Sequence, residues 1–300
     1  MNVTLRQLKV FAAVARHLSF TRAAEELYLT QPAVSMQVKQ MESVIGLPLF
    51  EQTGKRIHLT EAGEVMHHYS RVIADKLVEA EQAMEELKGV DGGRLQLSVA
   101  TTVNYFATRL LSGFCAAHPG VRVSLDVTNR ETLLRQLDEN QTDIVLMGQP
   151  PDGLDVVAEP FMDNPLVVIA SPRHPLCKRR RIPLAQLNEE TFLMREAGSG
   201  TRLAMARFFA ENDVMPSGSI EMTSNEAIKQ SVQAGLGLGV VSAHTVELEI
   251  EVGRLTILDV ASFPIMRRWY LVHRKEKRLS ATAAAFKEFV LEYGRNHPGD

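Results

Sequence analysis

From Leu5 to about Val44 the apolar residues fall at helical spacing, beginning with Leu5, Leu8, Phe11, Ala12 and Ala15, and the pattern breaks at His17 to Phe20 and again at Leu29 to Pro32. Three short helices are predicted. The segment FEQTGKRIHL (Phe50 to Leu59) reads as two short strands around Thr53-Gly54, a hairpin with Lys55 and Arg56 at its tip. From Thr60 to about Gly89 there is no proline and only Gly63 inside the segment, and Thr60 stands where an N-cap belongs, which predicts one long helix. Its stripe of Met66, Tyr69, Ile73, Leu77, Ala80, Met84 and Leu87 is narrow and flanked by charge, as in a seam that pairs two helices. The alternative is a helix lying on its own domain.

After the glycine-rich hinge Val90 to Gly93, strands alternate with helices. Leu95 to Ala100, Val121 to Val127 and Ile144 to Met147 are strand-like, with helices over Phe106 to His118 and Glu131 to Glu139. A second unit runs from about Phe161 to Asp259. Its strands lie near Leu166 to Ala170, Ile220 to Thr223 and Gly239 to Val241, and its helices over Thr201 to Asn212 and Asn225 to Ala234. A strand at Trp269 to His273 and a helix at Ala281 to Tyr293 close the chain. Repeated βα units imply mostly parallel sheets in two hinge-linked lobes with a ligand cleft between them.

Composition narrows the class. Three hundred residues exceed one ordinary core, and 45% apolar with 23% charged residues describe a globular chain rather than a disordered one. The longest apolar runs are strand-sized, and the start MNVTLRQLKV lacks the apolar core of a signal peptide, so no membrane partner and a cytoplasmic location are expected. Cys115 and Cys177 lie far apart with no metal-ligand spacing around them and read as buried free thiols. Residues 1–60 carry seven Lys/Arg against four Asp/Glu while the whole chain is at −3, so a basic head sits on an acidic body. Nucleic acid at one end is hinted at.

The stretch TRAAEELYLTQPAVSMQVKQ (Thr21 to Gln40) gives that hint a mechanism. Small Ala24 permits close helix approach, and Leu27, Val34 and Val38 fill the wedge of a helix-turn-helix. Thr30 is the expected N-cap of the second helix, and Pro32 in its first turn sacrifices no hydrogen bond. Gln31, Ser35 and Gln37 can then offer groups to base edges and Lys39 a charge to phosphate. The alternative is an ordinary helical hairpin with a solvated polar face.

With AAEEL (Ala23 to Leu27), TQPAVS (Thr30 to Ser35), GLPLF (Gly46 to Phe50) and LTEAG (Leu59 to Gly63) in order, the chain resembles a LysR-type transcriptional regulator along its whole length. SMQVKQME (Ser35 to Glu42), REAGSGTR (Arg195 to Arg202) and MGQPP (Met147 to Pro151) are most like the Calvin-cycle regulators, the CbbR subgroup. The resemblance implies an α/β protein with an all-α-rich N-terminal head: a winged helix-turn-helix over residues 1–60, a linker and dimerisation helix over 61–89, and a two-lobed, periplasmic-binding-protein-like effector domain over 90–300. Lobe I would span about 93–160 and 266–300, lobe II about 161–265. It also implies double-stranded DNA, a small effector and a homodimer, extended to a homotetramer, as partners. Met36 and Gln52 depart from the arginines the family often has there, which shifts expected base readout toward Gln31, Pro32 and Ser35.

Gly198-Ser199-Gly200-Thr201-Arg202 enters a helix, where glycines allow close approach and free amides attract an anion, with Ser199, Thr201 and Arg202 as added donors. A small carboxylate or phosphate is implied; the alternative is a plain helix cap. Thr101, Thr102, Thr128 and Asn225 resemble the family's effector-contacting positions, each alternatively a simple cap. Gly235-Leu236-Gly237-Leu238-Gly239 has its helix before and its strand after, the reverse of a dinucleotide fingerprint. The run Lys178 to Arg181 reads as solvated charge. No catalytic constellation and no cofactor motif emerges, so a regulator is expected rather than an enzyme.

Overall fold

The computed structural model describes residues 2–54, 56–87 and 93–297. In chain order the elements are α1 (Leu5–His17), α2 (Phe20–Glu26), α3 (Gln31–Ile45), β1 (Phe50–Thr53), β2 (Arg56–Leu59), α4 (Glu61–Leu87), β3 (Arg94–Ala100), α5 (Asn104–Ala117), β4 (Arg122–Thr128), α6 (Arg130–Asp138), β5 (Ile144–Gly148) and β6 (Val156–Asp163). There follow β7 (Leu166–Ala170), β8 (Thr191–Arg195), α7 (Gly200–Glu211), β9 (Gly218–Met222), α8 (Asn225–Gln233), β10 (Leu238–Ser242), α9 (Glu247–Glu251), β11 (Thr256–Ile257), β12 (Arg268–Arg274) and α10 (Ala281–Asn296).

In the head, Val10, Ala13, Val14, Ala23, Ala24, Val34 and Val38 form one buried cluster, with Leu27 against it. The wedge residues expected from the sequence thus meet where α1, α2 and α3 cross. The turn before α3 passes through Tyr28, exposed and in the left-handed region at φ 53°. Thr30 has the extended backbone of an N-cap, but its side chain caps nothing. Pro32 accounts for this in part: it removes one of the two amides a capping hydroxyl would serve. β1 and β2 pair antiparallel from Phe50 opposite Leu59 to Thr53 opposite Arg56, closing the wing.

A second cluster of Leu8, Phe11, Ala15, Met41 and Leu49 takes in Ala62 and Met66 from α4. Met66 therefore packs on the head rather than in the seam where its spacing had placed it, because the first turns of α4 are docked there. Gly63 permits that docking: a Cβ would stand 2.1 Å from the Leu49 carbonyl oxygen. Thr60 accepts from the Gly63 amide (3.0 Å) and donates to the Pro48 carbonyl (2.7 Å), fixing where the helix starts. Farther along, Tyr69, Ile73, Leu77 and Met84 are exposed at 57, 39, 38 and 57%. The side chain of Leu87, residues Lys88 and Gly89, and the Val90 to Gly92 part of the hinge lie outside what is described.

Residues 93–297 build two five-stranded sheets, ordered β4-β3-β5-β12-β6 and β11-β7-β10-β8-β9. Both are mixed rather than mostly parallel. β3 runs parallel to β4 and β5, and β8 to β9 and β10, but β12 is antiparallel to β5 and β6, and β7 to β10 and β11. The cause is that the chain crosses between lobes twice. It leaves through Asn164-Pro165, returns through Ile265 to Arg267, and so enters the first sheet from the opposite end. The two crossings pair with each other, the Asn164 amide donating to the Arg267 carbonyl at 2.8 Å and the Arg267 amide to the Asn164 carbonyl at 3.2 Å. β6 keeps the chain in the first sheet as far as Asp163, and β6, β8 and β11 have no counterpart among the strands read from the pattern. Lobe I buries Leu95, Leu97, Phe106, Phe114, Leu271 and Phe286 in one core, while Phe192, Leu238 and Leu193, Val241 fill the opposite faces of the second sheet. No helix among the described residues is long and apolar enough to cross a membrane.

Candidate functional site

On α3, burying Val34, Val38 and Met41 turns the opposite face outward. Gln31, Pro32, Met36 and Lys39 are exposed there, as is Thr30 ahead of them, while Ser35 and Gln37 are half-buried. Arg56 is exposed at the start of β2; Lys55, its expected companion, lies outside the described residues. Gln52 fastens the wing's own turn by donating to the Gly54 carbonyl at 2.9 Å. The face offers amide, hydroxyl and ammonium groups at helical spacing, the set that reads base edges and phosphates.

The second site is a cleft between the lobes enclosing about 470 Å³ of space that opens to solvent. From lobe I, the carboxyl ends of β3, β4 and β5 bring Thr101 and Thr102, then Thr128, Asn129 and Arg130, then Met147 and Gly148. Lobe II adds Arg195, Glu196, Ser199, Gly200 and Thr201 from the end of β8 and the start of α7. Asn164 and Arg267, from the two crossings, complete the wall with Trp269. Two helices aim their amino termini here. Asn129 caps α6 by accepting from the Thr132 amide at 2.9 Å. Ser199 holds the N-cap position of α7, is buried, and makes no capping bond, so its hydroxyl is left for a guest.

Of the nine residues expected to touch an effector, six line the cleft and three do not. Gly198, at φ 85°, turns the chain into α7 from outside the wall. Arg202 is directed away, donating to the Arg195 carbonyl at 2.9 Å and pairing with Glu221 on β9. Asn225 is buried beneath the wall, its Oδ1 accepting from Arg195 Nη1 at 2.8 Å and its Nδ2 donating to Thr102 Oγ1 at 3.2 Å. Because the Thr102 oxygen already accepts, its proton is free to donate to an anion.

Arg130, Arg195, Glu196 and Arg267 were assigned no role from sequence, and they dominate the electrostatics. Arg195 meets Glu196 through two bonds, Nε to Oε2 at 2.7 Å and Nη2 to Oε1 at 2.8 Å, and reaches Thr101 Oγ1 at 3.4 Å. Arg130 donates to the Gln149 carbonyl at 2.7 Å and Arg267 to the Gly200 carbonyl at 2.8 Å. Burial holds Arg130 below the ordinary arginine range; burial and then the neighbouring Arg130 charge do the same to Arg267. Asn129-Arg130 follows β4 as Thr101-Thr102 follows β3, a signal present in the sequence. Arg267 left none. Net positive charge, two helix amino termini and free hydroxyls suit a small anion.

Comparison with known proteins identifies the family to which both domains belong. Residues 5–64 match the bacterial regulatory helix-turn-helix protein, lysR family, and residues 88–295 the LysR substrate binding domain. The RuBisCO operon transcriptional regulator of Allochromatium vinosum is 60% identical over 298 residues, 99% of each chain. The HTH-type transcriptional regulator CbbR of Rhodospirillum rubrum is 49% identical over 291 residues, 97% of each. Among solved structures, the Synechocystis PCC6803 CcmR regulatory domain in complex with 2-PG is 44% identical, covers 69% of this chain and all of that one, and has a TM-score of 0.67. The chain belongs to the LysR family of bacterial transcriptional regulators and, within it, is most like the CbbR subgroup.

Proposed function

We propose that this regulator binds a dyad-symmetric site in the promoter of a RuBisCO operon through two heads paired along α4, and that a small anionic metabolite in the cleft alters the geometry of that assembly. The observation that carries the ligand half is the cleft itself, where two guanidiniums and two helix amino termini converge without a matching carboxylate. The regulated operon is suggested by the names of the relatives, and the anion by 2-PG in the related CcmR domain. An enzyme or a transport-type binding protein built on the same lobes would have no use for α3. The reading needs no metal or cofactor and places the protein in the cytoplasm with its DNA.

Calorimetric titration with 2-PG tests the ligand half. Thr102→Val preserves shape and deletes the hydroxyl; since a hydrogen bond to a charged group contributes about 1.5–3 kcal/mol, affinity should fall roughly tenfold or more. Arg202→Ala, whose guanidinium is turned away, should leave it unchanged. Equal losses in both variants would move the ligand out of this cleft.

For the DNA half, Gln31→Ala should relax sequence preference by about 1–3 kcal/mol at one base pair, read by footprinting against a panel of altered sites. Lys39→Ala should weaken all sequences alike and flatten the salt dependence of binding. A Gln31 variant that loses specific and random DNA equally has no base-reading residue at that position.

A further inference from the structure

Three guanidiniums reach the cleft and only one is compensated. Arg195 is held by both oxygens of Glu196. Arg130 and Arg267 each give one N–H to a backbone carbonyl, and among the described residues no carboxylate forms an ion pair with either. Glu131, next in sequence to Arg130, lies instead toward Gly198, with Oε2 3.9 Å from where a Cβ there would stand. Two like charges so placed destabilise the empty cleft, and a bound anion relieves them.

Gly148 makes the room. It ends β5 opposite Trp269, and its backbone is not in the left-handed region, so the strand itself does not demand glycine. A Cβ at this position would lie 3.0 Å from Arg267 Nη2 and 3.6 Å from Cζ. A side chain there would press the guanidinium back by a few tenths of an ångström or more, so glycine leaves it its full place in the wall. Arg267 also springs from the returning crossing and bonds Gly200 of lobe II, whereas Arg130 stands on lobe I.

Resting on the reading of this cleft as the effector site, we propose that Gly148 and Arg267 determine the charge its ligand must carry: with Arg130, they select a group bearing two negative charges over one bearing a single charge. A guest of lower charge leaves one guanidinium buried without an anion. A doubly charged group satisfies both, and in doing so bridges lobe I to the crossing between lobes.

The test is calorimetry on the full-length chain at constant ionic strength and about pH 8, with inorganic phosphate as the dianionic probe and acetate as the monoanionic one. The unaltered chain should hold phosphate roughly tenfold or more tighter than acetate, the value of one charge-assisted contact. Arg267→Gln and Gly148→Val should each bring the two affinities together. Thr102→Val should weaken both anions and leave their ratio unchanged. Arg267→Gln should also raise the thermal midpoint of the ligand-free chain, a gain that a merely structural arginine would not give. A ratio near one in the unaltered chain, or an undiminished ratio in both the Arg267 and Gly148 variants, overturns the proposal while the Thr102 response keeps the cleft as the binding site. If all three variants bind both anions as the unaltered chain does, the cleft reading itself falls.

Discussion

Replacing Arg195 with methionine should lower the unfolding free energy by about 3 kcal/mol and abolish measurable binding of 2-PG. The Arg195 side chain is only 3% exposed and, among the described residues, is the sole ion-pair partner of Glu196; it also satisfies Asn225 Oδ1. Methionine fills comparable volume but leaves a carboxylate and an amide oxygen without their donor. The figure sits at the lower end of the range for broken buried pairs, because Glu196 keeps 20% exposure and water can reach it. The same orphaned carboxylate turns part of the wall negative, which repels the anion the cleft is built to hold. Urea unfolding followed by circular dichroism, with calorimetry on the same sample, reads both effects. Adding Glu196→Gln should restore most of the stability, and failure of that rescue would mean that Arg195 acts through Asn225 and packing rather than through Glu196.

A second large effect is expected along α4. Leu77→Glu together with Met84→Glu should convert the protein to a monomer at low micromolar concentration by sedimentation, with loss of tight binding to the full dyad site. In a symmetric pair the change strips four apolar side chains from the seam, each contributing about 1.5–3 kcal/mol when fully buried. A combined loss of roughly 6–12 kcal/mol is enough to carry a nanomolar association past the micromolar range. Both side chains are exposed in the single chain, so the substitutions have little to disturb within it. A double variant that stays dimeric would assign the principal contact to another surface.

The head was legible because its signals are local. Ala24, Leu27, Val34 and Val38 lie within fifteen residues, and the burial they predicted is the burial seen. The α4 helix was legible for the same reason; of its stripe, Tyr69, Ile73, Leu77 and Met84 are exposed, while at Met66 docking on the head outweighs periodicity. Thr30 holds the N-cap position its type predicted, but residue type reports where a helix starts and not which way the hydroxyl turns. In the lobes, βα turns pointed to Thr101, Thr102 and Thr128, whereas Arg267 meets Gly200 across 67 positions and announces itself by no spacing. Arg202 was overvalued in the same way. At a helix entrance its charge suited an anion, and nothing in the string revealed Glu221 on a neighbouring strand as its partner. The antiparallel run of β12 was hidden because strand direction depends on where the chain comes from, not on what the strand contains.

That placement of β12 bears on synthesis at the ribosome. β12 lies between β5 and β6, so the first sheet has a vacant slot near its middle until residues 268–274 have been made, and α10 covers its core only after that. All of lobe II is translated in the interval, and its strands β7 to β11 close on one another without help from the later chain. The half that begins first therefore finishes last. A nascent regulator carries an open apolar seam between β5 and β6 for about a third of its elongation, and loss of its last thirty residues would leave that seam open for good, harming the lobe encoded farther upstream more than the one nearer the cut.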